Sequence, residues 1–521
     1  MTEFRFRKNA EIGKLEAETD SFLNDCFYET DVYRGIINFD DSSSNPDFTR
    51  RIIVGRTGSG KTALLKHIIQ SDKIKVHEKV EAENTIFEHI VNNIFISKLI
   101  ERKIDLRVFY KSLWLHILLV NIIQQLHRST YESFFDKVRA LIPYSKRSYN
   151  AQLANDYLDE YKGKFFSDEI IEEITNKIQG DLESKLGIDA LLASVSGTLS
   201  SESTKKIQRE TSSYVSRELL RKQKELIKVL KEEFSNERQV RIVISIDDLD
   251  KSWLSASEIR YDFINALLEA FKELLDIRSV KVLISIRTDI IMGIYRNSLR
   301  QEEKDESLIY AVSWNKQEIK ALIDKRINFL VKNQYESSKE VSIDDVFAFN
   351  VNGVSASDFI LERTMLRPRD AISFINLCLA ECDGKVELDE NMVLEAEEKF
   401  YSQRKNALVK EWVTIYPHIK DYLDAISFLK GVSFYIDNIS EKEKEDISNY
   451  LLSKNNDYEN DEEHNERALD IESLVKVWFT VGVIGFVKKD NLVIYSSFHK
   501  PELDITDLAK EFRIHPLFFR R

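Results

Sequence analysis

Short continuous apolar runs alternate with longer amphipathic stretches along this chain. RRIIVG (50–55 region) follows the turn-rich DDSSSNPD and reads as a compact strand. RIVISIDD (241–248) and VKVLISIRT (280–288) are two further strands, and EIRYDFINALLEAFKELL between them has its apolar residues at helical spacing. Strand, helix, strand in that order predicts a parallel sheet. Residues 73–80 form another β-rich segment, LIYAVSW (308–314) could add one more strand, and 84–127 carries a helical pattern that includes Trp114.

The remaining pattern is mostly helical. Residues 1–45 read as short helices and loops, and 128–238 are polar, helix-periodic and almost without Pro, as expected of a helical insertion broken near IDALLASVSGTLSSES (188–203). NKQEIKALIDKRINFLV begins a helical region that runs to about residue 380 and would suit a lid. Residues 387–430 are again helical, and NNDYENDEEHNE (455–466) reads as a solvated or disordered loop. WFTVGVIGFVKKDNLVIYSS predicts a helix end and a two-strand hairpin with KKDN at its turn, so helices followed by a β-wing suggest a winged helix. The expected organisation is an N-terminal helical segment (1–45), an α/β core (46–315) holding the insertion, a helical lid (316–385) and a helical, winged-helix-like C-terminal domain (386–521).

Composition narrows the class. A chain of 521 residues exceeds one core, since domains average about 150 residues. Only 15 Gly and 6 Pro are present, far below the average usage of about 12% for the two together, which excludes a collagen-like or turn-rich all-β chain. The net charge of −13 argues against a protein that coats nucleic acid. Residues 201–240 hold ten Lys/Arg against seven Glu, a balance that fits a solvated helix face better than a nucleic-acid contact. Three cysteines cannot build a disulfide framework in so long a chain, which fits a reducing cytoplasm, and Cys378 and Cys382 lack the second Cys/His pair of a metal site. LWLHILLVNII, the longest apolar stretch, is too short to span a bilayer, so no membrane association is expected.

The chemistry begins at GRTGSGKT (55–62), which matches the phosphate-binding pattern G-x-x-x-x-G-K-[ST] between an apolar strand and a helix. Gly55, Arg56, Thr57, Gly58, Ser59 and Gly60 would wrap backbone N–H groups around phosphates, and the helix that follows offers its positive end. Lys61 would reach the β- and γ-phosphates and the Thr62 hydroxyl would ligate Mg²⁺, making ATP·Mg²⁺ the expected cofactor. RIVISIDD would deliver Asp247 to the metal, with Asp248 orienting or deprotonating the attacking water. Arg287, after the next strand, could stabilise developing charge or be a surface arginine. Arg367 and Arg369 in LRPRD start a helix, where either could contact the nucleotide or serve in cap-region salt bridges.

GRTGSGKTALL, VISIDDLDKSW, LISIRTDI and LRPRDAISF, taken in this order with AETD (17–20), FYKSLW (109–114) and FRIHP (512–516), resemble a family of bacterial P-loop ATPases close to the KAP and STAND NTPases. The resemblance implies an α/β P-loop core of the ASCE type, a helical lid and a winged-helix-like module. Genes of that family often lie near phage-defence genes, which implies a role there. The first reading is an ATPase that acts as a nucleotide-driven switch, associating with itself or with an effector protein. A DNA-loading ATPase of the initiator kind is the alternative, and the acidic net charge disfavours it. A non-hydrolysing scaffold is disfavoured by the presence of both Asp247 and Asp248.

Overall fold

The structure, a computed structural model, describes residues 5–39, 49–74, 76–81, 94–129, 153–154, 156–157, 176, 180, 184, 201–233, 240, 242–247, 249, 257–297, 302–335, 339–382, 387–454 and 462–520. The apolar runs become strands: Ile52–Gly55 (β1), Val76–Glu81 (β2), Ile242–Asp247 (β3), Val280–Arg287 (β4) and Ile309–Ala311 (β5). Their order in the sheet is β2-β3-β4-β1-β5. β3 runs parallel to both β2 and β4, with Ile244 level with Glu78 and Val282. Every residue of β1 and β3 is buried. Strands covered on both faces have no polar side to alternate with, which explains the mostly apolar sequence, interrupted in β3 by the buried Ser245 and ended by Asp247.

Helices follow the strands as the spacing requires: Lys61–Ile69 (α1) after β1, Arg107–Ser129 (α2) and Ser257–Glu273 (α3) on either side of β3, and Thr288–Asn297 (α4) after β4. Trp114 of α2 lies 4.9 Å from the Phe263 ring of α3 and its indole N–H donates to the Phe263 carbonyl at 3.1 Å. Within the polar stretch expected to be an insertion, helices Ser201–Tyr214 and Arg221–Glu233 are joined by a π-helical turn, Val215–Leu220. The break expected over 188–203 is therefore corrected at its end, because Ser201 already starts a helix. Residues 188–200 lie outside the described residues.

Beyond the core come Lys316–Tyr335 (α5), strands Asn350–Val351 (β6) and Val354–Ser355 (β7), then helices Ala356–Glu362 (α6), Pro368–Glu381 (α7) and Glu390–Trp412 (α8). The expectation of helix throughout to residue 380 thus fails at β6–β7. Asn352 and Gly353, with φ of 50° and 81°, make the hairpin turn that Asn-Gly favours. The acidic run 455–466 is also not all loop. Its residues 462–466 open the helix Glu462–Leu469, which turns its charges outward and buries His464 and Ala468. Helix Ile471–Val481 (α9) precedes the expected hairpin, Ile484–Val487 (β9) and Val493–Tyr495 (β10). The hairpin belongs to a larger antiparallel sheet of order β10-β9-β11-β8, completed by Ser433–Phe434 (β8) and Phe512–Ile514 (β11).

The chain divides into two compact units, one of Met1–Val32, Val54–His67 and Ala311–Arg521, the other of Tyr33–Ile53 and Ile68–Tyr310. The glycine-rich loop lies in the first, while Asp247 and Arg287 lie in the second. No described helix is long and apolar enough to cross a membrane.

Candidate functional site

The site is built around the turn between β1 and α1. Gly58 and Gly60 hold φ at +80° and +93°, a region that costs a residue with a side chain about 1–2 kcal/mol. At Gly58 there is also no room: an added Cβ would stand 2.9 Å from Cβ of Arg369. At Gly60 the nearest atoms, in Pro368 and Trp314, are 3.9 Å away, so there the requirement is conformational alone.

Three residues from later in the chain hold the loop's carbonyls. Arg367 Nη1 donates to the Thr57 carbonyl at 3.1 Å, the Arg369 backbone N–H to Gly58 at 3.3 Å, and Trp314 Nε1 to Ser59 at 2.8 Å. In a planar trans peptide the carbonyl of one residue and the N–H of the next point opposite ways. Turning these carbonyls toward the clamp therefore turns the Gly58 and Gly60 amides away from it. The Ser59 amide closes the turn on the Arg56 carbonyl at 3.1 Å.

Lys61 folds its ammonium back over the loop, donating to the carbonyls of Gly55 at 2.9 Å and Arg56 at 3.2 Å. The Thr57 and Ser59 hydroxyl oxygens are buried without a hydrogen-bond partner among the described residues. Such groups are costly unless something satisfies them. Thr62 is the second residue of α1, whose first turn carries no acid. Donor amides, two orphaned hydroxyls, an ammonium and a helix N-terminus free of carboxylates make a donor set that fits the phosphates of a nucleotide.

A buried ionic network backs the loop. Arg367 caps α7, ahead of Pro368, and its Nη1 lies 3.2 Å from Glu411 Oε2 on α8. Arg56 places Nε 3.3 Å from Glu411 Oε1 and donates through Nη2 to the Val481 carbonyl, at the end of α9, at 2.6 Å. Arg404 joins Asp370 at 2.8 Å and Glu411 at 3.5 Å. Burial, with Arg56 and Arg404 nearby, pulls the Arg367 guanidinium down to about 9. Burial also works against the charge on Arg404, but Asp370 and Glu411 outweigh it and hold its pKa up. His515, pushed down to about 3 by burial and by Arg363, Arg367 and Arg56, stays neutral beside this cluster.

The N-terminal segment also reaches the site, where its Leu15 carbonyl accepts from Arg369 Nε at 3.1 Å and its Ala17 carbonyl from Lys66 of α1 at 2.8 Å. In the other unit, Asp247 is the buried last residue of β3, level with Glu81. Arg287 ends β4 and forms a two-pronged ion pair with Asp289, at 2.9 and 2.8 Å. Asp248, Asp250 and Lys251 lie outside the described residues. Cys378 and Cys382 are buried in and at the end of α7.

The structure thus brings together the 55–62 loop, Arg367 and Arg369, and adds Trp314, Arg404 and Glu411, which the sequence reading does not single out. A signal for two of them existed: Arg404 and Glu411 fall on the same stripe of α8 as Val393, Ala396, Phe400 and Leu408, where a charge needs a buried partner. In comparisons with known proteins, a family model described as the KAP family P-loop domain matches residues 51–310. A second, the FunZ-associated C-terminal helical domain, matches residues 317–409. No curated protein matches the chain.

Proposed function

This chain belongs to the KAP family of P-loop NTPases, and from that premise we propose that it binds ATP with Mg²⁺ in the 55–62 loop and hydrolyses it as a molecular switch. The observation that carries the reading is the loop itself: two glycines at positive φ, amides turned from the clamp, and Lys61 lying over the turn on its own carbonyls. On binding, the Lys61 ammonium would exchange those neutral carbonyl acceptors for charged phosphate oxygens, turning ion–dipole bonds into an ion pair.

Thr62 and Asp247 are the proposed Mg²⁺ ligands, the first by its place in the motif and the second by its place at the carboxyl end of a buried strand. The metal would neutralise charge between the β- and γ-phosphates. Asp248 is proposed to hold the attacking water and take its proton. Arg287, or Arg367 or Arg369, would add positive charge toward the γ-phosphate, though Arg287 must then share itself with Asp289 and Arg367 with Glu411.

We propose that the switch works in an assembly, with itself or with an effector protein. The phage-defence setting rests on the family resemblance alone. Steady-state ATP hydrolysis by the full chain, with and without Mg²⁺, tests the reading: Mg²⁺-dependent turnover is expected, and absence of nucleotide binding would overturn it. Stimulation of that turnover by duplex DNA would instead favour a DNA-loading ATPase.

A further inference from the structure

We infer that Glu411 is a positioning residue for the phosphate loop, holding Arg56 and Arg367 with one carboxylate oxygen each and so fixing the shape of residues 56–59. The inference rests on the nucleotide-binding reading above and assigns to it a residue more than 340 positions downstream of the loop.

The geometry makes the carboxylate the common point of two clamps. Arg56 is part of the loop, and Arg367 grips it from outside through the Thr57 carbonyl. Oε1 takes the first arginine and Oε2 the second, so neither can move without loosening the ion pair. The Glu411 side chain is only 1% exposed, and that of Arg367 4%. Solvent therefore cannot replace a lost partner, and a buried guanidinium left without its carboxylate must reorient or draw water inward.

The other contacts of Arg56 limit where it could go. Its guanidinium lies 5.6 Å from the Trp412 ring centre, next in sequence to Glu411, and its Nη2 is held by the Val481 carbonyl. At Gly482, which ends α9 with φ of +85°, an added Cβ would come within 2.4 Å of Arg56 Nη1. The loop's second residue thus sits in a slot made by α8 and the end of α9. Glu411 supplies the charge in that slot. The charge balance points the same way: among the described residues Arg56, Arg367 and Arg404 pair with Glu411 and Asp370, so removing Glu411 leaves these three cations with one of the two anions.

A purely electrostatic role predicts the opposite outcome from a positioning role. If Glu411 mattered only as a negative charge near a phosphate site, neutralising it would tighten anion binding. If it positions the loop, Glu411→Gln, of the same shape, must leave one arginine facing an amide N–H₂, and the loop loosens and binds phosphates less well.

The experiment is amide hydrogen exchange of the peptide containing residues 55–62 in nucleotide-free full-length protein, followed by titration with ATP·Mg²⁺. In Glu411→Gln, exchange at the Ser59 amide, now bound to the Arg56 carbonyl, should speed up at least about tenfold and nucleotide affinity fall at least about tenfold, each a shift of about 1.4 kcal/mol. Exchange in β3 should stay as in the wild type. Glu411→Asp, which keeps the charge, should recover part of both. Unchanged loop exchange in a folded Glu411→Gln protein, or tighter nucleotide binding, would overturn the inference. Should Glu411→Gln not fold, Arg56→Lys removes the fork that serves Glu411 and Val481 together, and the same exchange readout decides. A wild-type protein that binds no nucleotide would sink the functional reading, while the exchange comparison would still settle the role of Glu411 in shaping the loop.

Discussion

Asp20 and Arg326 form a buried ion pair at 2.7 Å across 306 residues of sequence. The same arginine donates to the Ile12 carbonyl at 2.9 Å, and Asn376 of α7 pairs with both the Ile12 N–H and the Gly13 carbonyl. Gly13 is tightly enclosed, since an added Cβ would fall on Arg326 Nη1. Residues 12–20, which end in AETD, are thereby seated on α5 and α7, and the Leu15 and Ala17 carbonyls accept from Arg369 and Lys66 beside the phosphate loop.

Breaking this pair on one side should be costly. Asp20→Ala leaves the Arg326 charge buried and uncompensated, with an expected loss of about 3–5 kcal/mol. Replacing both partners, Asp20→Leu with Arg326→Met, should cost clearly less than the single change. Urea denaturation followed by tryptophan fluorescence compares the two, and equal losses would mean that the N-terminal segment is held mainly by its backbone contacts.

The loop glycines should differ in what they tolerate. Gly58→Ala and Gly60→Ala both force a side chain into positive φ, at about 1–2 kcal/mol each. Only Gly58→Ala also drives a methyl into Arg369, whose amide holds the Gly58 carbonyl. Nucleotide affinity and thermal midpoint should therefore fall further for Gly58→Ala, and the reverse order would show that the Arg369 contact yields easily.

Lys61→Ala removes the ammonium that now spans the Gly55 and Arg56 carbonyls. Loss of its charged bonds to phosphate should weaken ATP·Mg²⁺ binding by at least about a hundredfold in calorimetric titration. Asp248→Asn should instead keep the nucleotide and slow single-turnover hydrolysis at least about a hundredfold, because a carboxamide cannot accept the water's proton. Normal turnover in that variant would move the base elsewhere, most naturally to Asp250.

Legibility followed the range of the interactions. β1, β3 and β4 are plain in the sequence because burial on both faces leaves them mostly apolar, and the loop is plain because its backbone demands glycine. The strand order is set by pairings between distant segments, which no local pattern records. The hairpin at Asn350–Ser355 is too short for strand periodicity, although Asn352-Gly353 marks its turn. Glu411 falls on the apolar stripe of α8, which marks a buried charge, but nothing local names Arg56 and Arg367 as the partners that meet on it.

Acid should weaken the fold through its buried histidines. His515 is fully enclosed, its Nδ1 accepts from the Leu517 amide at 3.3 Å, and its ring meets those of Tyr495 and Phe518 edge-on. Burial first, then the charges of Arg363, Arg367 and Arg56, lower its pKa from 6.5 to about 3. The unfolded chain therefore takes up a proton near pH 6.5 that the folded chain refuses until about pH 3. Its contribution to stability is complete above pH 6.5 and is lost as pH falls through that window, by about 2 kcal/mol at pH 5. His77 and His116, both lowered to about 4 by burial, with Lys79 also acting on His77, add losses of the same sign. His515→Asn keeps an acceptor close to the place of Nδ1 but cannot titrate, so its cavity costs stability at every pH while the slope with pH becomes shallower. Urea midpoints of both proteins at pH 7.5 and pH 5 measure that slope, and identical slopes would mean that His515 is protonated in the folded state well above pH 3.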